Sequence, residues 1–188
     1  MQGTCKGHAY LMATIPDLLD AVDAFVHADK RIAGADGPCI WAPGYNKYEK
    51  KTKFPIEVGG ELIDAARLEI IAMPDRFTSD RTGIQFRISL CYNAAICRLD
   101  VTDEIHPNTR RIPEDNVPPD VEGPHFHSWK LNRRFFKGIS TAPELHTAEL
   151  FTSKGSFDSN LRWFCQQVNI QQPDGRHVIE LPTRTNFI

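Results

Sequence analysis

Ile84-Gln85-Phe86-Arg87-Ile88-Ser89-Leu90 sets apolar side chains at every second position, with Gln, Arg and Ser between them. A strand turns successive side chains to opposite faces, so this stretch reads as a strand buried on one face and polar on the other. Upstream, Phe54, Ile56 and Val58 alternate in the same way and run into Gly59-Gly60, a pair suited to the positive φ angles of a two-residue hairpin turn. A second strand then extends to about Met73. Downstream, residues 91–94 can turn the chain into a further strand over 95–102, and a Pro-rich loop leads to a short strand over 125–129. The connections between the early strands are too short for parallel crossovers, which predicts one antiparallel sheet of about five strands.

Leu18, Leu19, Val22, Phe25 and Val26 recur at helical spacing while Asp17, Asp20 and Asp23 fall on the other side, and Thr14 with Asp17 resembles a capping box. Leu161, Phe164, Cys165 and Val168 repeat the helical spacing near the end of the chain. The predicted fold is therefore α+β, with an N-terminal and a C-terminal helix on one face of the sheet. The 188 residues fit a single domain, 1–188, and 41% hydrophobic content is enough for a core. The 22 Lys and Arg against 24 Asp and Glu leave a formal charge of -2, too little for a general attraction to nucleic acid or membrane. Five scattered cysteines form no metal pattern or disulfide framework, and Cys97 and Cys165 read as core fillers. With no leader-like start and no run of about 20 apolar residues, the reading is a cytoplasmic protein with no membrane partner. The cations Lys47, Lys50, Lys51 and Lys53, interleaved with Tyr45 and Tyr48, read first as a solvated loop and second as a phosphate track.

Polar chemistry concentrates between Arg98 and Arg134. Alternation puts Cys97, Leu99 and Val101 on one face of their strand and Arg98 and Asp100 on the other; Ile96 is out of step, falling beside Arg98. The same rule sets Phe126 toward the core, and His125, His127 and Arg87 away from it. His106 precedes Asn108 in the intervening segment, and Lys130, Arg133 and Arg134 follow closely.

Arg98-Leu99-Asp100, His106-Pro107-Asn108 and Pro124-His125-Phe126-His127, with the 54–58 hairpin and the helix around 163–169, resemble a domain family of unknown function from bacterial genomes and mobile elements. The Asp-bearing strand followed by a His-x-His strand is also similar to small ribonuclease-type toxins paired with antitoxins. The resemblance implies RNA, a cognate antitoxin or a host protein as partner.

Several readings of these residues stand side by side. In a metal-independent endoribonuclease, His127 and His106 would act as base and acid and His125 would stand beside them. Asp100 would orient a histidine, while Arg98, Arg87, Lys130, Arg133 and Arg134 would hold phosphate. In a purely structural reading the histidines cap the sheet and Arg98 and Asp100 form a cross-strand ion pair. A His-based metal hydrolase would use His125 and His127 with Asp100 or His106. Because arginines crowd the histidines, the sequence favours a site with no metal and no other cofactor. A non-enzymatic inhibitor of a nucleoprotein complex would instead present Trp41, Tyr45 and Tyr48.

Overall fold

The computed structural model describes residues 15–34, 39–44, 49–74, 82–90, 94–137, 145–171, 179 and 181–182. In chain order the elements are α1 (Ile15–His27), β1 (Lys30–Ile32), β2 (Ala42–Pro43), β3 (Lys50–Val58), β4 (Glu61–Pro74), β5 (Thr82–Leu90), β6 (Ala94–Val101) and β7 (Ile105–Pro107). After a short 3-10 turn, Pro113–Asp115, come β8 (Asp120–Glu122), β9 (His125–His127), α2 (Trp129–Asn132), a second 3-10 turn, Arg133–Phe135, β10 (Glu149–Leu150), α3 (Phe157–Gln167) and β11 (Ile170–Gln171).

The expectation of about five strands is corrected. Nine strands form one sheet in the order β10-β9-β6-β5-β4-β3-β1-β11, with β2 beside β3, and β7 and β8 pair separately. The sheet is also mixed, because β1 and β11 run parallel while its other pairs are antiparallel. The strands legible in the sequence are β3 to β6 and β9. Those missed, β1, β2, β10 and β11, are two or three residues long, too short to show a full period of alternation. The cationic run also lies partly on β3 rather than in a loop, and Lys53 is ion-paired there. Tyr45, Tyr48, Lys47 and the Thr14 cap lie outside the described residues.

The β3–β4 hairpin closes as its glycines demand, Gly59 and Gly60 both taking positive φ, 61° and 85°. Its register shifts between Pro55 and Glu57, and the longer β4 takes up the slack around Ala65, itself at φ 58°. Ile96 is explained by a bulge. Ile88 pairs with Cys97 but Ser89 pairs with Ala95, so Ile96 is an extra residue and turns into the core beside Cys97. One strand can thus bury Ile96, Cys97 and Leu99 and still carry Arg98 and Asp100 on its polar face.

Ile56, Leu68, Ile70, Phe86, Ile88, Leu99 and Phe126 share one cluster with Val22 and Phe25 of α1 and Leu161, Phe164 and Cys165 of α3. Phe86 is central to it, its ring 6.0 Å from Phe164 and 5.5 Å from Phe157. Ser128 ends β9 by capping α2, its hydroxyl accepting from the Leu131 N–H. No helix among the described residues is long and apolar enough to cross a membrane.

Lys30 is wholly buried where α1 meets β1. Its ammonium donates to the carbonyls of Val26 at 2.9 Å and Ala28 at 2.7 Å, closing the C-terminal end of α1, and lies 5.0 Å from the Phe25 ring centre. Burial pulls its pKa down from 10.5 to about 8.

Two outcomes follow from this packing. Phe86→Ala should lower the unfolding free energy by about 3–5 kcal/mol with an unchanged denaturant slope, read by chemical denaturation. For Lys30, the unfolded chain keeps between about pH 8 and 10.5 a proton that the folded chain releases, so this residue makes stability rise with pH across that window. The stability of wild type relative to Lys30→Met should therefore climb as pH passes from 7 to about 10, and a flat difference would contradict the assignment.

Candidate functional site

The polar face is organised by strand register. Directly opposed residues form one row through Lys53, Glu69, Arg87, Arg98 and His127, and a second through Lys51, Ile71, Gln85, Asp100 and His125. Arg98, Asp100, His125 and His127 thus make a block at the β6–β9 end. The small β7–β8 sheet brings His106 over it. The His106 ring lies 5.1 Å from that of His125, nearly parallel, and 4.5 Å from that of His127, edge to face. The five residues that the sequence placed together do come together.

Each histidine is held from behind by backbone. His125 Nδ1 lies 2.8 Å from the Gly123 carbonyl and His127 Nδ1 3.2 Å from the Thr147 carbonyl. Carbonyls only accept, so Nδ1 of each ring carries a proton and Nε2 is turned into the cluster. His106 hydrogen-bonds to the His146 backbone. Its Nε2 is buried with no hydrogen-bond partner. One ring nitrogen from each of the three histidines falls within 4.8 Å of the others.

The strap 145–148, which carries the Thr147 carbonyl, is pinned by two buried asparagines. Asn132 donates to the Thr147 carbonyl at 2.8 Å and accepts from its N–H at 3.0 Å. Asn108 donates to the carbonyls of Ala148, 2.9 Å, and Pro118, 2.8 Å, and accepts from the Ala148 N–H at 2.7 Å. The same Asn108 therefore ties the segment bearing His106 to the strap that orients His127.

Asp100 lies at the centre. Gln85 donates to its Oδ1 at 2.7 Å and Arg98 Nε to its Oδ2 at 2.7 Å. Oδ2 also lies 3.2 Å from His125 Nε2 and 3.4 Å from His127 Nε2. Burial alone would raise the Asp100 pKa, but contacts with the two histidines and the charge of Arg98 hold it well below the usual carboxylate range. Burial also pulls His127 down to about 4, with Arg98 adding to the effect, so this ring is neutral at pH 7 and accepts from Arg98 Nη2 at 2.9 Å. Burial and the neighbouring His125 lower His106 as well. With Nδ1 of His125 directed at the Gly123 carbonyl, a neutral ring would set its Nε2 lone pair against the Asp100 carboxylate. A positive charge between these atoms, a proton or a metal ion, resolves that opposition.

The other cations expected at a phosphate site are engaged elsewhere. Arg87 reaches the polar face but pairs with buried Glu69, which Lys53 also meets at 2.9 Å. Arg133 forks onto Asp23 of α1 through Nε and Nη2, at 2.9 and 2.6 Å from Oδ2, and Arg134 onto Asp115 at 2.6 and 2.5 Å. Lys130 lines a separate cavity of about 420 Å³ with Glu114, Asp115 and Glu149. Trp41 is half-buried and packs against the core, which makes it a poor interface anchor. Sequence reading missed Gln85, Asn132 and Thr147. Gln85 was open to discovery as the residue facing Asp100 once the β5–β6 register is set, whereas nothing local marks the Thr147 carbonyl.

Asn108→Ala strands two buried backbone groups of Ala148 and the partly buried Pro118 carbonyl, so it should destabilise the fold by roughly 2–4 kcal/mol. It should also broaden the His106 and His127 ring signals in NMR, because the strap loses its anchor; sharp, unshifted ring resonances would count against this coupling. No protein-family model, curated protein sequence or solved structure matches this chain.

Proposed function

We propose that the protein is a metal-dependent enzyme of hydrolytic type, whose ion is held by His106, His125, His127 and Asp100. The observation that carries this reading is the approach of three imidazole nitrogens to within 4.8 Å of one another, with Asp100 Oδ2 beside two of them and the two β9 histidines held by backbone carbonyls on their far side. That arrangement matches the way metal-binding histidines are fixed in tautomer and orientation. In a tetrahedral site with bonds of about 2.0–2.1 Å, ligand atoms stand roughly 3.3 Å apart. The Asp100 Oδ2 separations of 3.2 and 3.4 Å from His125 and His127 already suit it. The three histidine nitrogens, within 4.8 Å of one another, would draw closer around an ion. The ligands are nitrogen and oxygen without thiolate, a set suited to zinc and its divalent first-row neighbours. With four protein ligands such an ion would have to expand to a fifth position to take a water or a substrate oxygen, activating the one or polarising the other.

Metal-free ribonuclease chemistry draws less support from the same residues. His127 has no exposed surface and His125 is 4% exposed, so neither ring presents a surface nitrogen for direct proton exchange with an RNA 2′-hydroxyl. The positive charge next to the histidines, which speaks against a metal on composition alone, reduces to Arg98, and that residue is itself tied to Asp100.

Elemental analysis of protein purified without chelator should find one divalent ion per chain, and calorimetric titration of chelator-treated protein with Zn²⁺, Co²⁺, Ni²⁺ and Mn²⁺ should recover one site. His125→Ala and His127→Ala should each weaken that site at least about a hundredfold, beyond what loss of a supporting contact produces. Metal at about 1,000 times its Kd should add roughly 4 kcal/mol to stability. A wild-type chain that takes none of the four ions, or histidine variants that bind as well as wild type, would end this reading. Hydrolysis of a panel of phosphate and carboxylate esters should be abolished by chelation and restored by the ion.

A further inference from the structure

Arg98 is hard to explain in a metal site that is only structural. A guanidinium whose Nη2 lies 2.9 Å from a ligand nitrogen opposes any cation bound there. It also competes for the same electron pair, because the His127 Nε2 lone pair cannot accept from Nη2 and bind an ion together. Metal entry must therefore displace Nη2. Arg98 Nε, by contrast, donates to Asp100 Oδ2 at 2.7 Å, which keeps the head group at the rim of the cluster. Its side chain is 28% exposed, the highest among the ion-paired groups of the cluster, while those of Asp100, His125 and His127 are 8% or less. His106, from the overlying sheet, is the other partly exposed member. Solvent thus reaches the cluster beside Arg98 and His106.

Resting on the metal reading above, we infer that Arg98 and the ion together form an oxyanion site, so that the substrate carries a phosphate or carboxylate group that bridges metal and guanidinium. An oxyanion between two cations removes their repulsion. It also gives the displaced Nη2 an acceptor in place of the His127 lone pair, and guanidinium suits the planar, two-oxygen edge of such a group. Arg87, Arg133 and Arg134 pair with Glu69, Asp23 and Asp115, away from the histidines, whereas Arg98 reaches His127 itself.

The test is calorimetric titration of the metal-loaded and the chelator-treated full chain with inorganic phosphate and, separately, with acetate. Phosphate, acetate or both should bind the loaded protein at least tenfold more tightly than the metal-free protein. By linkage the same anion should tighten metal binding by the same factor. The arm that responds identifies the group. Arg98→Met should abolish this anion binding yet bind the metal as tightly as wild type or more tightly, since a competitor for His127 is gone. A residue that only supports the fold would weaken both. Arg98→Lys, which keeps the charge without the fork, should retain part of the anion affinity, and melting curves of both variants report folding. If metal binds and neither anion responds to it, or if Arg98→Met holds the anion unchanged, the inference fails while the metal centre stands. If no ion binds, the metal reading itself fails. Should Arg98→Met not fold, the comparison of loaded and metal-free wild type still decides the matter.

Discussion

The pairing of β6 with β9 is the constraint on which the rest of this molecule depends. It opposes Arg98 to His127 and Asp100 to His125 on the polar side, and Leu99 to Phe126 on the apolar side. Side chains across a strand pair stand about 5 Å apart, close enough for the polar four to act as one group. The register is held from beneath, because Phe126 packs edge-on against Trp163 and Phe164 of α3. A slip of one residue would send Phe126 to the polar side and the histidines into the core, so the hydrophobic cluster enforces the site geometry. β9 has only three residues, and this dependence on α3 compensates for its short ladder.

How much of this was legible in the sequence follows from the range over which each feature is encoded. Alternation is local, and it correctly set Ile84, Phe86, Ile88, Leu99 and Phe126 against Arg98, Asp100, His125 and His127. Ile96 defied the alternation because a bulge inserts one residue, and a bulge leaves no mark when one strand is read alone. The roles of the arginines were illegible for a different reason. Arg133 finds its carboxylate 110 positions away on α1, so counting cations along 98–134 overstated the local positive charge. That count inflated the phosphate-site reading and weighed against a metal, and both inferences change once Asp23, Asp115 and Glu69 are set against their partners.

The polar face is buried to a degree that few sheets tolerate, with Glu69, Asp100, His125 and His127 all at 5% exposure or less. Such groups are costly unless each is paired, and a half-satisfied network is worse than an apolar one. Glu69 meets Lys53 and Arg87, and the asparagines satisfy the strap. Among the described residues, buried side-chain atoms without a hydrogen-bond partner include His106 Nε2 in the histidine cluster and Arg87 Nη2, Ser89 Oγ and Thr147 Oγ1 outside it. Of these atoms, His106 Nε2 is the one that belongs to a group of converging metal-ligating side chains.

The atoms that orient His125 and His127 belong to the main chain, at Gly123 and Thr147. Every amino acid brings the same carbonyl to those positions, so single-base changes in either codon leave the acceptor in place. Heritable damage to the ring orientation would have to come from insertions, deletions or altered turns that redirect the chain itself. Gly123, at φ 85°, is the partial exception, since a side chain there strains the turn that aims its oxygen. Substitution at Thr147 is therefore limited by the space around its fully buried side chain and not by the carbonyl that orients His127.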